Sequence, residues 1–244
     1  MTFSVVARCA RTGKFGVAAA TATNAVGKLV SHAMAKYGAI ATQAMLNPYL
    51  GYDGLRLLQR GSSAREALKR LLANDPHPGL RQVGIVDGEG SSAAWTGNEN
   101  LHWAGHREEH NFSVQGNRMA GPGVLDAAVE TMHATEDKDL AERLLLALEA
   151  GDAKGGDRLG ERSGNILVFD HEEYPQWDIR VDDHDKPIEE LRRLFHLFQD
   201  ELLSHMNRLP TRKDYPQIVN DEDLRLPVST SSPASGQRRR DREE

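Results

Sequence analysis

Two short apolar runs joined by a tight turn open the chain, and they constrain the fold more than any other feature. Phe3–Arg8 is rich in β-branched and small residues, which favours a strand. Residues 10–14 predict a turn in which Gly13 adopts a positive φ. Phe15–Thr21 is the return strand, and its small side chains allow either tight sheet packing or close approach of a ligand. We therefore predict an N-terminal antiparallel hairpin.

Hairpins also dominate the rest of the chain. Helices are predicted at residues 49–59, 63–73, 124–133, 138–149 and 188–206, and further strands at residues 39–43, 82–87, 91–96, 111–115, 165–170 and 177–181. Ser63 followed by Glu66 has the spacing of a capping box. This order, with strands and paired helices in alternation, predicts an α+β domain of mainly antiparallel sheets covered by helix pairs.

Composition narrows the classes of protein. The chain has 244 residues, of which 39% are hydrophobic and 27% charged, enough for one large domain. The net charge of −6 gives no reason to expect nucleic acid or an anionic membrane as partner. A single cysteine, Cys9, excludes an internal disulfide framework and fits a reducing compartment. Without a signal-peptide pattern or a run of about 20 apolar residues, we expect a soluble cytoplasmic protein.

The C-terminal third suggests the domain boundaries. The predicted helix at residues 188–206 carries an apolar stripe that could pack on the domain or pair with a second subunit, and we expect a homodimer. Residues 228–244 are polar, so we predict a disordered tail there. Residues 1–227 are predicted to form a single domain.

Short motifs are spread in order over residues 2–170. They are TFSVVAR at 2–8, GVA at 16–18, AVG at 25–27, ATQA at 41–44, NP at 47–48, RQVG at 81–84, VD at 86–87, WTG at 95–97, WAGH at 103–106, VQGN at 114–117 and GGDR at 155–158. Together they resemble the uncharacterised bacterial family DUF1028. The resemblance implies a four-layer αββα sandwich similar to the N-terminal-nucleophile (Ntn) hydrolases. The opening also resembles the start of proteasome-type subunits. The resemblance implies no particular substrate, because none is settled for this family.

The chain departs from this family pattern in three places. Residues 158–163 read Arg-Leu-Gly-Glu-Arg-Ser, where relatives tend to carry Arg-Arg-Gly-Arg/Lys-Gln-Ser. Thr21 stands where a serine is frequent, and Asn100 stands where a cysteine is common. If residues 158–163 line the site, we expect a substrate preference that differs from that of relatives.

Thr2 is the predicted nucleophile. An initiator Met followed by Thr is normally trimmed, which would free an α-amine with a pKa of about 7.7–8.0. That amine can accept the proton of its own hydroxyl, so one residue supplies nucleophile and base. Many proteins begin Met-Thr, and the alternative is a strand-initiating Thr without chemical role. With the resemblance, we predict an amide or cyclic-amide hydrolase without cofactor.

Such a mechanism also needs donors for a developing oxyanion. The candidates are the side-chain amides of Asn24, Gln43, Asn47 and Asn117. Gln43 ends a predicted strand and Asn117 follows the end of another, and we place both with Thr2 in the catalytic set. The predicted substrate-binding residues are Asn24, Asn47, Arg81, His106, Asp157 and Arg158. Arg binds carboxylates in a bidentate manner, but a buried Arg–Asp ion pair is an equal alternative for the charged members.

Two other functions stay open. A non-catalytic protein on the same fold would keep a pocket for a small molecule and lose the chemistry. A metal-dependent hydrolase would use His102 and His106, which with His110 recur every four residues and on a helix would share one face. Trp103-Ala104-Gly105 disfavours a helix there, and no His-Glu-x-x-His motif is present, so we predict no metal site.

Overall fold

The computed structural model describes residues 2–206 and 208–214. Contacts divide the chain into two units, Met1–Leu194 and Phe195–Glu244, and the first unit contains both sheets. The predicted disordered tail at residues 228–244 lies outside the described residues, as does the end of the predicted domain from residue 215 onward. The single-domain boundary at residue 227 therefore stays a prediction.

Within the described residues, the strands form two antiparallel sheets. The strands are β1 Thr2–Arg8, β2 Phe15–Thr21, β3 Ser31–Met34, β4 Gly38–Ala44, β5 Arg81–Asp87, β6 Ser92–Thr96, β7 Ala104–Glu109, β8 Phe112–Asn117, β9 Ser163–Phe169 and β10 Trp177–Val181. The six-stranded sheet has the order β10-β9-β2-β1-β8-β7, and the four-stranded sheet has the order β3-β4-β5-β6. The strand that begins with Thr2 is thus an inner strand of the larger sheet.

Helices cover the outer face of each sheet. The described residues form α1 Tyr49–Gln59, α2 Ala64–Asn74, α3 Gly123–Ala134, α4 Leu140–Asp152, α5 Pro187–Glu201 and α6 Leu203–Met206, and α1 to α4 are the helices that cover the sheets. Helices α1 and α2 pack on the four-stranded sheet, where Leu55 and Leu68 join Ile40 and Ile85 in one apolar cluster. Helices α3 and α4 contact the six-stranded sheet. The layers therefore run helices, sheet, sheet, helices, and the predicted four-layer αββα sandwich is confirmed. In the described residues no helix has the length and apolarity that a membrane crossing requires.

The space between the sheets is divided into an apolar half and a polar half. Val6, Val17 and Ala41 belong to an apolar cluster formed by both sheets. Successive side chains of a strand alternate between its faces, so Ser4 and Thr2 project to the same side as Val6. Polar residues thus replace apolar ones toward the end of the sandwich where β1 begins.

The N-terminal hairpin is confirmed. Strand β1 pairs with β2 in the register Phe3↔Ala20, and Gly13 in the turn has φ +73°. A Cβ atom at Gly16 would lie 2.7 Å from Leu144 Cδ1 on α4 and 2.9 Å from a Val168 methyl carbon. The small residues of β2 therefore serve tight packing at this point.

Other local predictions are confirmed or need correction. The capping box is present, with Ser63 accepting from the Glu66 backbone N–H and the Glu66 carboxylate accepting from that of Ser63. Strands β3 and β7 were not predicted, because SHAM and AGHREE lack a run of β-branched or alternating apolar residues. The predicted single helix at residues 188–206 is wrong in one respect, since it is interrupted at Leu202, between α5 and α6.

Candidate functional site

Thr2 lies at the first position of β1, between β2 and β8. It is paired with Asn117 across the β1–β8 ladder, and only 6% of the residue is exposed. Its hydroxyl Oγ1 donates to Oγ1 of Thr21, the last residue of β2, at 3.3 Å. Two hydroxyl groups therefore meet at the end of the inter-sheet space.

Two buried amides hold the backbone of Thr2. Gln43 Nε2 donates to the Thr2 carbonyl oxygen at 3.1 Å, and Asn117 Nδ2 donates to the same oxygen at 3.4 Å. Both amides also donate to Gln82 Oε1, at 2.8 and 2.9 Å. The structure thus brings Thr2, Gln43 and Asn117 together. The amide hydrogens of both side chains are engaged in fixing residue 2 rather than directed at open space.

Gln82 organises this cluster, although the sequence analysis did not select it. Its Nε2 lies 2.8 Å from the Gly116 carbonyl oxygen, 3.0 Å from that of Gly105 and 2.9 Å from Thr96 Oγ1. Those acceptors fix the amide so that its oxygen faces Gln43 and Asn117. Thr96 Oγ1 in turn lies 2.9 Å from His106 Nδ1. Burial lowers the pKa of His106, which favours a neutral imidazole at the edge of the network.

A second row of polar side chains lies deeper between the sheets. Ser4 Oγ donates to Gln43 Oε1 at 2.6 Å, and Gln115 Nε2 donates to Ser4 Oγ at 2.6 Å. Gly84 makes room for this row, because a Cβ atom there would lie 2.1 Å from Gln115 Oε1. Ser4 is two residues from Thr2, and Gln115 is two residues from Asn117. Polar residues at every second position of otherwise apolar strands could therefore have indicated this row from the sequence.

Two of the five non-glycine residues with positive φ in the described part of the chain directly follow these amides. Ala44 follows Gln43 with φ +72°, and Arg118 follows Asn117 with φ +58°. The left-handed conformation costs a non-glycine residue about 1–2 kcal/mol. Such outliers cluster at functional sites, where the surrounding structure holds them in place. Two of them, one at the end of β4 in one sheet and one after β8 in the other, border the same cavity and mark this edge of the sandwich as a candidate site.

The strained residues border a cavity of 230 Å³, which we call the strand-end cavity. Its lining residues are Ala44, Met45, Leu80, Glu99, Asn100, Leu101, Asn117 and Arg118. Asn117 is common to the cavity and to the clamp on the Thr2 carbonyl. The strand-end cavity is therefore the opening next to the Thr2 cluster.

A loop closes the other side of the cluster. Asp157 Oδ2 accepts from the backbone N–H of Ala22, directly after Thr21, at 3.2 Å, and Oδ1 accepts from that of Leu159 at 3.0 Å. Arg158 is exposed. Asp157 thus anchors the loop to the end of β2. Leu159, Glu161 and Arg162, which depart from the family pattern, line a 510 Å³ groove that Ala22 also borders.

Glu161 is an unusual carboxyl group in this loop. Its Oε1 accepts from the backbone N–H of Asp157 at 2.7 Å. Burial is the main cause that raises its pKa to about 7, and the neighbouring Asp152 carboxyl raises it further. In the sequence Glu161 stands out only as a departure from the family pattern, because its burial depends on the loop conformation.

We expect Glu161 to make stability depend on pH near neutrality. A carboxyl group whose pKa is higher in the folded than in the unfolded state contributes stability below the unfolded pKa of about 4.3. That contribution is lost as the pH rises through about 7. The free energy of unfolding of the wild type should therefore fall between about pH 5 and 8, and Glu161→Gln should flatten this slope. Urea unfolding across that range measures it, with exposed Glu130→Gln as control. Equal slopes for all three proteins would contradict the expectation.

Arg81 and Asn47 form a separate cluster with Asp75. Arg81 Nε donates to Asp75 Oδ2 at 3.0 Å, and Asn47 Nδ2 donates to the same oxygen at 2.8 Å. Arg81 Nη1 also donates to the Met45 carbonyl oxygen at 2.6 Å. Burial alone would raise the pKa of Asp75, but the hydrogen bonds from Arg81, Asn47 and the His77 backbone lower it below its usual value. The buried ion pair, one of the two alternatives for Arg81, is what the structure contains.

The remaining candidates lie apart from one another. Asn24 is exposed in the connection after β2. His106 lies in β7, whereas His102 precedes that strand and His110 follows it, so the three do not share a helix. Within residues 2–206 and 208–214, no group of three or more His, Cys, Asp or Glu side chains is arranged to hold a metal ion.

Comparison with known proteins places this architecture in a family. No curated protein matches the chain. A crystal structure of a Silicibacter pomeroyi protein described as DUF1028 is similar, with 29% identity, a TM-score of 0.82, and 90% of this chain and 99% of that chain covered. Anbu, an ancestral beta-subunit from Yersinia bercovieri, matches with 12% identity, a TM-score of 0.39, and 85% and 98% coverage. The model of the family of unknown function DUF1028 matches residues 2–191, and the chain therefore belongs to DUF1028.

Proposed function

We propose that the protein is an amide or cyclic-amide hydrolase in which Thr2, once Met1 is removed, is the nucleophile. The observation that carries this proposal is the position of residue 2. Its hydroxyl lies at the end of an inner strand, and two buried amides fix its carbonyl oxygen beside a strained, open strand end. Rigid positioning of this kind is what a nucleophile requires, because small misplacements cost large factors in rate.

The proposed reaction uses the groups of Thr2 itself. The neutral α-amine accepts the proton of Oγ1 as Oγ1 attacks the substrate carbonyl carbon. The resulting ammonium returns the proton to the leaving nitrogen as the amide C–N bond breaks, which leaves an ester on Thr2. The same amine then deprotonates a water molecule, whose oxygen bonds to the acyl carbon of the ester. The bond from that carbon to Oγ1 breaks, the ammonium returns the proton to Oγ1, and the acid product leaves. The Thr21 hydroxyl orients Oγ1, and Gln43 and Asn117 act as positioning residues in this scheme, because their amide hydrogens are already engaged.

A non-catalytic binding protein is the second candidate function. The low exposure of Thr2 and the dense hydrogen bonding of the polar network favour it, since both are also features of a structural core. In that case the strand-end cavity would bind a small molecule without reaction.

A matched pair of chains tests the requirement for a free amine. One chain carries an uncleavable peptide before Thr2, and the other carries a peptide that a protease removes to leave Thr2 first. We expect only the second to hydrolyse members of a panel of amides, lactams and cyclic ureides, with an intact mass that confirms residue 2 as the first residue. Equal activity of both chains would refute the proposed mechanism. A panel that binds to the trimmed chain without turnover would support the binding protein instead.

A further inference from the structure

The strand-end cavity carries two opposite charges that do not neutralise each other. Arg118 and Glu99 both line it. Neither is in an ion pair with any residue of the described part of the chain, and they do not pair with each other. In most of the molecule an Arg near a carboxylate is bonded to it, as in the Arg81–Asp75 and Arg192–Glu149 pairs. The strand-end cavity is thus complementary to a ligand that carries both charges.

We propose that the strand-end cavity binds the zwitterionic head group of a free α-amino acid, which makes side-chain amides of amino acids the substrate class of the hydrolase. In this arrangement Arg118 binds the carboxylate, and Glu99 and Asn100 bind the ammonium group. The substrate class rests on the proposed function, whereas binding of the head group does not. Asn117, which lines the cavity and contacts the Thr2 carbonyl, connects the two places.

Arg118 is suited to the carboxylate. Guanidinium groups bind carboxylates through two parallel hydrogen bonds, which fix orientation as well as position. Arg118 is half-buried, so its interaction with an anion is less screened than at an open surface. Its backbone is held in the left-handed region by hydrogen bonds from its own N–H to Leu101 and from Arg158 to its carbonyl oxygen. The strain therefore serves to hold a charged side chain at this cavity.

Asn100 supplies an acceptor that lacks a donor. Its Nδ2 donates to the carbonyl oxygens of Arg81 at 3.0 Å and Gly97 at 2.9 Å, so the amide cannot be reversed without placing its oxygen against two acceptors. Its Oδ1 is buried and accepts no hydrogen bond from any residue in the described part of the chain. A buried acceptor without a donor is unfavourable, and an ammonium N–H of a ligand, after a small adjustment of the cavity wall, would satisfy it.

The size of the cavity limits the ligand. A volume of 230 Å³ lies below the roughly 300 Å³ at which sites for drug-sized ligands begin, so a small head group with a short chain fits. Met45, Leu80 and Leu101 contribute the apolar part of the lining, which suits the methylene groups of such a chain.

Calorimetric titration with three small probes tests the proposal on the full chain. L-norvaline presents the zwitterion on an apolar chain and contains no amide to hydrolyse, N-acetyl-L-norvaline lacks the ammonium, and L-norvalinamide lacks the carboxylate. We expect norvaline to bind at least about tenfold more tightly than either analogue, the loss typical of one charge-assisted hydrogen bond. Failure of norvaline to bind, or equal binding of the three probes, would overturn the proposal.

Substitutions of Arg118 and Glu99 test which charge of the ligand each residue binds. Arg118→Gln, which keeps a non-glycine residue at the strained position, should weaken norvaline at least about tenfold and leave norvalinamide unchanged. Glu99→Gln should weaken norvaline and leave N-acetyl-norvaline unchanged. Arg65→Gln is the control, since Arg65 is exposed on α2. Loss of all binding in both variants together with a lowered melting temperature would count against the charge assignment. Norvaline binding without turnover of any amino-acid amide would refute this substrate class, whereas the head-group site would be supported and the hydrolase would still be tested by the matched pair of chains.

Discussion

Replacing Asp75 by alanine is expected to lower the free energy of unfolding by about 3–5 kcal/mol, the range found when one partner of a buried ion pair is removed. The Asp75 side chain is fully buried and that of Arg81 is 9% exposed. The variant would leave the Arg81 guanidinium inside the protein, and within the described residues the Met45 carbonyl oxygen, at 2.6 Å, would be its remaining hydrogen-bond acceptor. Urea denaturation with the linear extrapolation gives the free energy directly.

Asp53→Ala is the matched control for this experiment. Asp53 pairs with Arg56 on α1 at 2.8 Å, but both side chains are more than half exposed. Exposed pairs contribute about 0–1 kcal/mol, so this variant should change the unfolding free energy by less than about 1 kcal/mol. If Asp75→Ala behaved like Asp53→Ala, the Arg81 pair would not stabilise the fold, and Arg81 would be free for the substrate-binding role that the sequence suggested.

The role of Arg81 could not be predicted from the sequence. Arg81 is typical of a carboxylate-binding residue, and the sequence left an ion pair and a substrate contact equally open. Which of the two occurs depends on Asp75, which lies six residues before Arg81 at the end of α2. The turn between them and the start of the next strand bring Asp75 against Arg81. No local pattern contains that information, because the contact depends on tertiary packing.

The hairpin and the layer order could be predicted, because both depend on local periodicity. After Phe15, strand β2 consists of small or β-branched residues that are all buried, and the turn before it contains a glycine with φ +73°. Strand β7 could not be found in the same way. Its residues AGHREE are half exposed at a sheet edge, and they are held by pairing with β8 rather than by an apolar face.

The cluster around Thr2 was partly accessible from sequence. Gln43 and Asn117 were selected because amides at strand ends are available to a site, and both contact the Thr2 carbonyl oxygen. Gln82 is not among the predicted site residues, although its Oε1 accepts hydrogen bonds from both of these amides. Its position opposite Gln43 follows from the β4–β5 register, and its contact with Asn117 follows from how the two sheets face each other. Neither relation can be read from spacing along the chain.

Thr2→Ala is expected to lower kcat for an amide substrate by at least ~10³-fold, which corresponds to about 4 kcal/mol on the activation barrier. The substitution is well suited to this test, because Gln43 and Asn117 bind the backbone carbonyl of residue 2, which alanine keeps. The loss should therefore come from the hydroxyl alone. Single-turnover measurements on the trimmed chain would separate this chemical step from binding.

Two further variants, one of the Thr2 hydroxyl itself and one of its hydrogen-bond partner, are controls for the Thr2→Ala prediction. Thr2→Ser keeps the nucleophile and should retain activity within about tenfold of the wild type. Thr21→Val removes the hydroxyl that accepts from Thr2 Oγ1 at 3.3 Å and should cost less than Thr2→Ala, because it only orients the nucleophile. Since a hydroxyl hydrogen bond contributes about 1 kcal/mol, both variants should stay folded. If the Thr2→Ala protein turned over amides at the wild-type rate, Thr2 would not be the nucleophile. The residues of the strand-end cavity would then be the next candidates for the catalytic group.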